Sequence, residues 1–278
     1  MRGRHGLQEN AGERLRTRGL LCIVLYAHAI RLQMDGAPHR QQPVMANSHP
    51  RNRLLAALPP QLQKRILRKL KPVSLKAGDE LYGQNQPIQN IYFPVSGVMS
   101  LVTTAGGDAG EVATVGNEGM LGLPILFRTD RIPMRAFAQI PGEALMMSVK
   151  DFKTEIKDSH SKLSHILYRY AQALFIQVAQ HAACNATHQI RQRCARWLLM
   201  THDRVGTDVF QLTQDFLSQM LGVRRAGVSV AAADLQKEKL ITYRRGTVTV
   251  LDRKGLEKAS CDHYGIVKAE YERLMEEI

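Results

Sequence analysis

Residues 212–241 have the sequence LTQDFLSQMLGVRRAGVSVAAADLQKEKLI, which is the most diagnostic segment of the chain. It predicts two short helices joined by a sharp turn, with Thr213 as the N-cap of the first helix and Gly222 in the turn. Arg224 and Arg225 open the second helix. Apolar side chains at helical spacing give each helix a face that can pack inward. These side chains are Phe216, Leu217, Met220, Val228, Ala232 and Leu235.

A helix pair of this kind is typical of DNA-binding domains, because the second helix can enter the major groove with its N-terminal residues against the base edges. Arginine can donate two hydrogen bonds to guanine, so Arg225 is the expected base contact. Ser229 lies four residues later on the same helix face and, with Arg224, is expected to contact bases or phosphates. Thr213 and Gln214, at the start of the first helix, are expected to bind a phosphate through backbone N–H groups.

Residues 241–251, with the sequence ITYRRGTVTVL, predict a β-hairpin with a basic tip. Residues 247–250 alternate between threonine and valine, as a half-buried strand does. A basic hairpin tip is most often only solvated. The preceding helix pair favours the other interpretation, in which Arg244 and Arg245 contact DNA phosphates from the wing of a winged helix-turn-helix.

Upstream, residues 73–149 have the pattern of an antiparallel β-structure. Short alternating runs such as 91–95 and 98–102 are separated by glycine-containing turns. This pattern predicts an antiparallel β-roll or sandwich. The expected fold class is therefore α+β, with a jelly-roll-like β-roll domain, a long helix and a C-terminal winged helix-turn-helix.

The long helix is predicted at about residues 159–183. Its apolar residues recur at steps of four, three, four and four, at Leu163, Leu167, Tyr170, Leu174 and Val178. Such a stripe either packs against the core of the same chain or forms the seam of a parallel dimer, and periodicity does not separate the two. The expected segments are an extension at 1–48, the sensor domain at 49–158, the dimerisation helix at 159–184 and the DNA-binding domain at 185–278.

The two ends of the chain carry weaker signals. Residues 1–48 are expected to form a disordered extension, and Met45 is an alternative start. The longest apolar stretch there, residues 20–30, is about half of the roughly 20 residues that a membrane-spanning helix needs, so no membrane partner is expected. Residues 253–278 predict one or two further helices, to which the sequence assigns no role.

The composition is that of a globular protein with a polyanionic partner. Of the 278 residues, 44% are hydrophobic and 23% are charged, which excludes a disordered chain. Lysine and arginine number 38 against 25 acidic residues, for a formal net charge of +13. This excess favours nucleic acid or an anionic membrane surface as the partner.

The four cysteines, Cys22, Cys184, Cys194 and Cys261, are widely scattered. Zinc and iron–sulfur sites usually need clustered ligands, so the sequence predicts no metal site and no cofactor. Scattered cysteines in a chain of this length indicate a reducing compartment, and the cytoplasm is the expected location. The sequence contains no nucleophile elbow, P-loop or convincing carboxylate pair, so the protein is not expected to be an enzyme.

Over about residues 53–252 the chain resembles the Crp/Fnr superfamily of bacterial regulators. Besides the helix pair and the wing, the resemblance rests on KAGDE at 76–80, QNQPIQNIYFPVSG at 84–97, GNEGMLGL at 116–123 and PGEA at 141–144. It implies a homodimer held by the long helix and a palindromic site on double-stranded DNA. It also implies an effector in the β-roll that reorients the DNA-binding domains, with RNA polymerase as a further partner.

The chain departs from the cyclic-nucleotide-binding members at two motifs. Those members carry a Gly-Glu-x-Gly turn and a later Arg-Ser pair. Here Met120 stands in place of the glutamate, and the Arg-Ser position falls near residues 132–133. A buried phosphate without an arginine partner is costly to desolvate, so neither cAMP nor cGMP is the expected effector. The candidate effector-binding residues are Gly119, Met120, Leu121, Gly122, Arg131 and Arg135.

The sequence also allows a second function, that of a cyclic-nucleotide-binding module that signals through protein contacts. This alternative predicts tight nucleotide binding and no sequence preference on DNA. The missing glutamate and Arg-Ser pair weigh against it. Arg224, Arg225 and the basic wing favour a sequence-specific DNA-binding transcription regulator.

Overall fold

The computed structural model describes residues 51–105 and 108–276, so the expected extension at 1–48 and Met45 lie outside the described residues. The described chain starts with two short helices, α1 (Arg53–Ala56) and α2 (Pro60–Leu67). Asn52 caps α1 by accepting a hydrogen bond from the backbone N–H of Leu55. Its amide Nδ2 also donates to the carbonyl oxygens of Pro94 and Gly119, at 2.9 and 2.8 Å, which fastens the start of the domain to the sheets behind it.

Seven strands in the described region form two antiparallel sheets, which confirms the β-roll. The strands are β1 (Lys71–Leu75), β2 (Glu80–Tyr82), β3 (Asn90–Pro94), β4 (Val98–Ala105), β5 (Asp108–Val115), β6 (Arg135–Ile140) and β7 (Gly142–Ser148). One sheet has the order β1-β7-β3 and the other the order β2-β6-β4-β5. Helix α3 (Val149–Glu155) packs against β3 and β7, and a 3-10 helix at Leu123–Phe127 packs against α3.

A long helix, α4 (Lys162–Thr187), leads to α5 (Ile190–Val205), and only two residues separate them. The apolar stripe of α4, for which the sequence allowed either core packing or a dimer seam, packs inside a single chain. Leu163, Leu167, Tyr170 and Leu174 are buried in the core of the β-roll domain, and Val178 is half-buried against it. The sheet of β4 and β5 needs a cover for its apolar face, and this stripe supplies it. The four buried residues are therefore not on the surface that a second chain can reach, whereas Val178 is partly accessible.

The C-terminal part is a winged helix-turn-helix, as expected. Its elements are β8 (Val209–Gln211), α6 (Gln214–Leu221), α7 (Arg225–Lys237), β9 (Ile241–Arg244), β10 (Thr247–Val250), α8 (Arg253–Ala259) and α9 (His263–Glu276). The strands form one sheet in the order β8-β10-β9. Helix α9 returns to pack along α4, so the chain beyond the wing joins the two domains.

The β-roll domain and the winged helix-turn-helix domain also share a core. Phe137 and Ile140 of β6 belong to the same cluster of buried residues as Phe216 of α6 and Trp197 of α5. The rings of Phe137 and Phe216 meet edge to face, with centroids 6.3 Å apart. Within the described ranges, no helix combines the length and the apolar character that crossing a bilayer requires.

Candidate nucleic-acid interface

The sequence predicts two local features of the helix pair α6 and α7, a capping residue at the start of α6 and a glycine in the turn, and the structure has both. Thr213 caps α6, its Oγ1 accepting a hydrogen bond from the backbone N–H of Phe216 at 3.2 Å. Gly222 ends α6 with φ of 61°, in the left-handed region that favours glycine. The backbone N–H of Val223 then donates to the carbonyl of Ser218, which closes the turn. The inward faces of both helices are buried as expected.

The start of α7 carries the residues expected to meet DNA. Arg224 is the N-cap of α7 and is exposed, and Arg225 is its first helical residue. The side chain of Arg225 is 66% exposed, with its Nε 3.3 Å from a carboxylate oxygen of Asp215. The Ser229 hydroxyl donates to the amide oxygen of Gln214 at 2.6 Å. The two helix N-termini therefore form one continuous polar surface.

The basic hairpin tip lies beside this surface. Arg245 and Gly246 form the two-residue loop between β9 and β10, with φ of 48° and 75°. Two successive positive φ values are the mark of the type I′ turn that suits hairpins. Arg244 and Arg245 are both exposed. The carbonyl of Gly246 accepts a hydrogen bond from the backbone N–H of Leu212 at 2.7 Å, so the wing is tied to the start of α6.

A groove of about 630 Å³ connects these elements. Its lining includes Thr213, Gln214, Arg225 and Arg245 from the DNA-binding domain. The opposite wall is formed by Gln139 and Ile140 of β6 in the sensor domain. Four of the seven residues predicted to contact DNA thus lie along one groove, while Ser229 is hydrogen-bonded to Gln214 at its edge.

One exposed residue of this surface was not named among the residues expected to contact DNA. Val230 on α7 is 63% exposed and lies on the outer face of the helix. It follows Ser229 and lies four residues after Ala226, which is also exposed. The signal was present in the sequence, because Val228, Ala232 and Leu235 already fill the inward stripe and leave Val230 on the outer face.

The turn proposed for effector binding is packed into the core. Met120 and Leu121 are each 1% exposed. The Tyr170 hydroxyl of α4 donates to the carbonyl of Met120 at 3.0 Å. A Cβ added at Gly119 would lie 2.6 Å from the ring of Tyr170, so only glycine fits there. Gly122 has φ of 96°, which also favours glycine.

The two arginines proposed for the same site each lie near an acidic residue. Arg131 is exposed, with its Nε 3.7 Å from Asp130. Arg135 starts β6, with its guanidinium 3.9 Å from Glu80 and 4.8 Å from the centre of the Phe137 ring. Burial lowers the pKa of Arg135. An effector contact at these six positions stays a prediction.

Two buried acidic residues connect the sensor domain to α5. Glu111 accepts hydrogen bonds from the indole Nε1 of Trp197 and from the Ser100 hydroxyl, each at 2.8 Å. Burial raises the pKa of Glu111 to about 7. Glu118 forms a buried ion pair with Arg204 at 2.8 Å. The winged helix-turn-helix domain is therefore held on the β-roll domain by polar as well as apolar contacts.

Away from the interface, the fold brings together four side chains that are distant in the sequence: Cys184, His188, Cys261 and His263. The expectation of no metal site rested on the spacing of the cysteines. In the folded chain, however, α9 packs against α4, and this packing brings Cys184 into contact with Cys261, 77 positions away.

The chain matches two protein-family profiles. The family described as cyclic nucleotide-binding domain matches residues 72–159, and the one described as Crp-like helix-turn-helix domain matches residues 192–259. Together the two matches cover more than half of the chain. No significant match was found among the curated proteins compared with it.

Several solved structures share this architecture. One is described as a transcriptional regulator of the Crp/Fnr family from Eubacterium rectale, with a TM-score of 0.58 and 20% identity over 73% of this chain and 94% of that one. Another is a CRP-family regulator from Thermus thermophilus, with a TM-score of 0.56 and 21% identity over 68% and 96%. A third is the c-di-GMP-responsive regulator CLP of Xanthomonas campestris, with a TM-score of 0.55 and 17% identity over 68% and 98%. At these identities the likeness establishes the fold.

Proposed function

Because the chain belongs to the Crp/Fnr superfamily of transcription regulators, we propose that it binds DNA sequence-specifically through the surface formed by α6, α7 and the wing. The observation that carries this proposal is the placement of Arg225 and Arg245 along one groove with the N-terminus of α6. A recognition helix and a basic wing must face the same side of the domain to contact one duplex.

Each residue of the surface has a proposed role that follows from its geometry. Arg225 is exposed at the first position of α7. When DNA binds, its guanidinium breaks the contact with Asp215 and donates hydrogen bonds to a guanine in the major groove. Val230 offers an apolar contact to a thymine methyl group. Arg224, Arg244 and Arg245 neutralise phosphates, and the start of α6 at Thr213 and Gln214 offers backbone N–H groups to another. Ser229 positions Gln214 through its 2.6 Å hydrogen bond.

We further propose that the protein is a homodimer held by the outer face of α4, not by the stripe that is buried in the chain. Exposed positions of α4 follow the heptad steps four, three, four, three and four, at Tyr168, Gln172, Phe175, Ala179, Ala182 and Ala186. Phe175 is 72% exposed in the single chain. A large exposed aromatic residue that is followed by alanines at the same spacing is typical of a helix–helix contact surface. A dimer of this kind would bind a palindromic site.

The test of DNA reading is fluorescence anisotropy of the effector-free protein on DNA from its own upstream region, with scrambled DNA beside it. Selective binding that is lost in Arg225→Ala supports the proposal. The matched control is Arg68→Ala, which removes another exposed positive charge at the end of α2, away from the groove. Absence of binding to either DNA at low salt, or equal losses in both variants, would contradict it.

A further inference from the structure

Four side chains with metal-ligating atoms meet where α4 ends and α8 gives way to α9. Cys184 lies in the last turn of α4, and His188 is its C-cap. Cys261 and His263 lie in the turn before α9 and at its first position. One ligating atom of each residue lies within 4.8 Å of those of the other three. Cysteine and histidine four apart at a helix end share one face, which explains the first pair.

The donor set and spacing fit a tetrahedral zinc ion. Zinc in structural sites takes four ligands from cysteine and histidine, at about 2.3 Å for sulfur and about 2.0–2.1 Å for nitrogen. Two sulfurs bound in this way lie about 3.8 Å apart by tetrahedral geometry. The sulfurs of Cys184 and Cys261 are 3.4 Å apart, so small side-chain shifts suffice. A closed set of four protein ligands leaves no position for water, which is the mark of a structural site rather than a catalytic one.

The histidines give an independent indication. The Nδ1 atoms of His188 and His263 are both buried, and neither has a hydrogen-bond partner among the described residues. The two rings lie close, with centroids 4.7 Å apart and planes inclined at 70°. A buried ring nitrogen without a partner is costly, and a bond to a metal ion would satisfy it.

Two buried arginines lie beside the cluster. Arg196 is 1% exposed, and Arg193 is also buried in the adjacent turn of α5. A neighbouring positive charge stabilises a thiolate, which is the form of cysteine that binds a metal ion.

We propose that Cys184, His188, Cys261 and His263 bind one Zn²⁺ ion, which fastens the junction of α4 and α5 to the turn between α8 and α9. This site goes beyond DNA binding and gives the chain after the wing a role. The junction is the two-residue break between the long helix and the DNA-binding domain. A metal there restricts how far the DNA-binding domain can rotate about the end of α4.

The first test is the metal content of the full chain, purified under reducing conditions without a polyhistidine tag. Mass spectrometry of the metals should find one zinc per chain. Reconstitution with Co²⁺ should give the thiolate-to-cobalt charge-transfer band and the visible d–d bands of a tetrahedral site. Both measurements use the unaltered protein, so they do not depend on whether a variant folds. Absence of zinc after incubation with excess Zn²⁺, or an octahedral cobalt spectrum, would overturn the proposal.

Variants then identify the ligands. Cys184→Ser and Cys261→Ser should each lower the zinc content at least tenfold, whereas Cys194→Ala, at a buried cysteine of α5 outside the cluster, should keep it. A disulfide between Cys184 and Cys261 in zinc-free protein from the same cells would instead make the pair a redox couple and overturn the proposal. Zinc loss is separable from DNA reading, because Arg225→Ala should keep its zinc.

Discussion

The indole Nε1 of Trp197 donates a hydrogen bond of 2.8 Å to the buried carboxyl of Glu111, across the boundary between the DNA-binding and sensor domains. The Ser100 hydroxyl holds the other carboxyl oxygen at the same distance. The pKa of Glu111 is raised to about 7 from its ordinary 4.5, since burial disfavours the charged form. We therefore expect the contact between the domains to depend on pH.

Glu111→Gln should remove a pH dependence of stability. The folded protein keeps the Glu111 proton between about pH 4.5 and 7, whereas the unfolded chain releases it, so the contribution of this group falls as pH rises through that window. Near pH 4.5 the variant and the parent should have the same free energy of unfolding. Above about pH 7 the free energy of unfolding of the variant should be higher by up to about 3 kcal/mol. Urea denaturation across this range measures the difference. Glu272→Gln, at an exposed carboxyl of α9, should show no such trend.

Arg225→Ala and Arg245→Ala should have different effects on DNA binding. The first should cost about 1–3 kcal/mol on the preferred site and relax the preference at one base pair. The second should weaken binding to all DNA sequences alike and reduce the slope of log affinity against log salt by about 1. Anisotropy titrations at several salt concentrations, on sites with single base-pair changes, measure both. Uniform losses in both variants would mean that Arg225 contacts phosphate and reads no base.

Gly222→Ala and Gly265→Ala should have opposite effects on stability. Apart from the adjacent backbone, no atom lies within 4 Å of a Cβ added at either glycine, so the comparison isolates the backbone conformation. Gly222 has φ of 61° in the turn between α6 and α7, where a side chain costs about 1–2 kcal/mol. Gly265 lies inside α9, where alanine should stabilise by about 0.5–1 kcal/mol. Chemical denaturation of the two variants gives the signs, and a stable Gly222→Ala would contradict the assigned turn.

Phe175→Glu and Leu174→Ala, at adjacent positions of α4, should separate assembly from folding. Phe175 is exposed and Leu174 is buried in the core. The charge at 175 should convert the dimer to monomer without changing the circular dichroism spectrum. Leu174→Ala should lower the free energy of unfolding by about 2–5 kcal/mol. Sedimentation equilibrium measures the first effect. A parent protein that is already monomeric would refute the proposed seam.

The structural features that the sequence predicted correctly are those encoded by neighbouring residues. The cap at Thr213, the turn at Gly222 and the alternation of residues 247–250 are each encoded within a few positions, and the structure has all three. The stripe at Leu163 was ambiguous because periodicity shows which face of a helix is apolar and not what covers it. The contact between Cys184 and Cys261 could not be predicted, because the two cysteines are 77 positions apart and come together only when α9 packs against α4.

The edge-to-face contact of Phe137 with Phe216 also has a thermodynamic consequence. Both rings are buried in the core that the two domains share, so swinging the DNA-binding domain away would hydrate them. Exposing one such side chain costs about 1.5–3 kcal/mol. An effector can shift the populations of the docked and released arrangements only by as much as its own affinities for the two differ. A ligand that released the DNA-binding domain would therefore have to prefer the released arrangement by more than the free energy of hydrating these two rings.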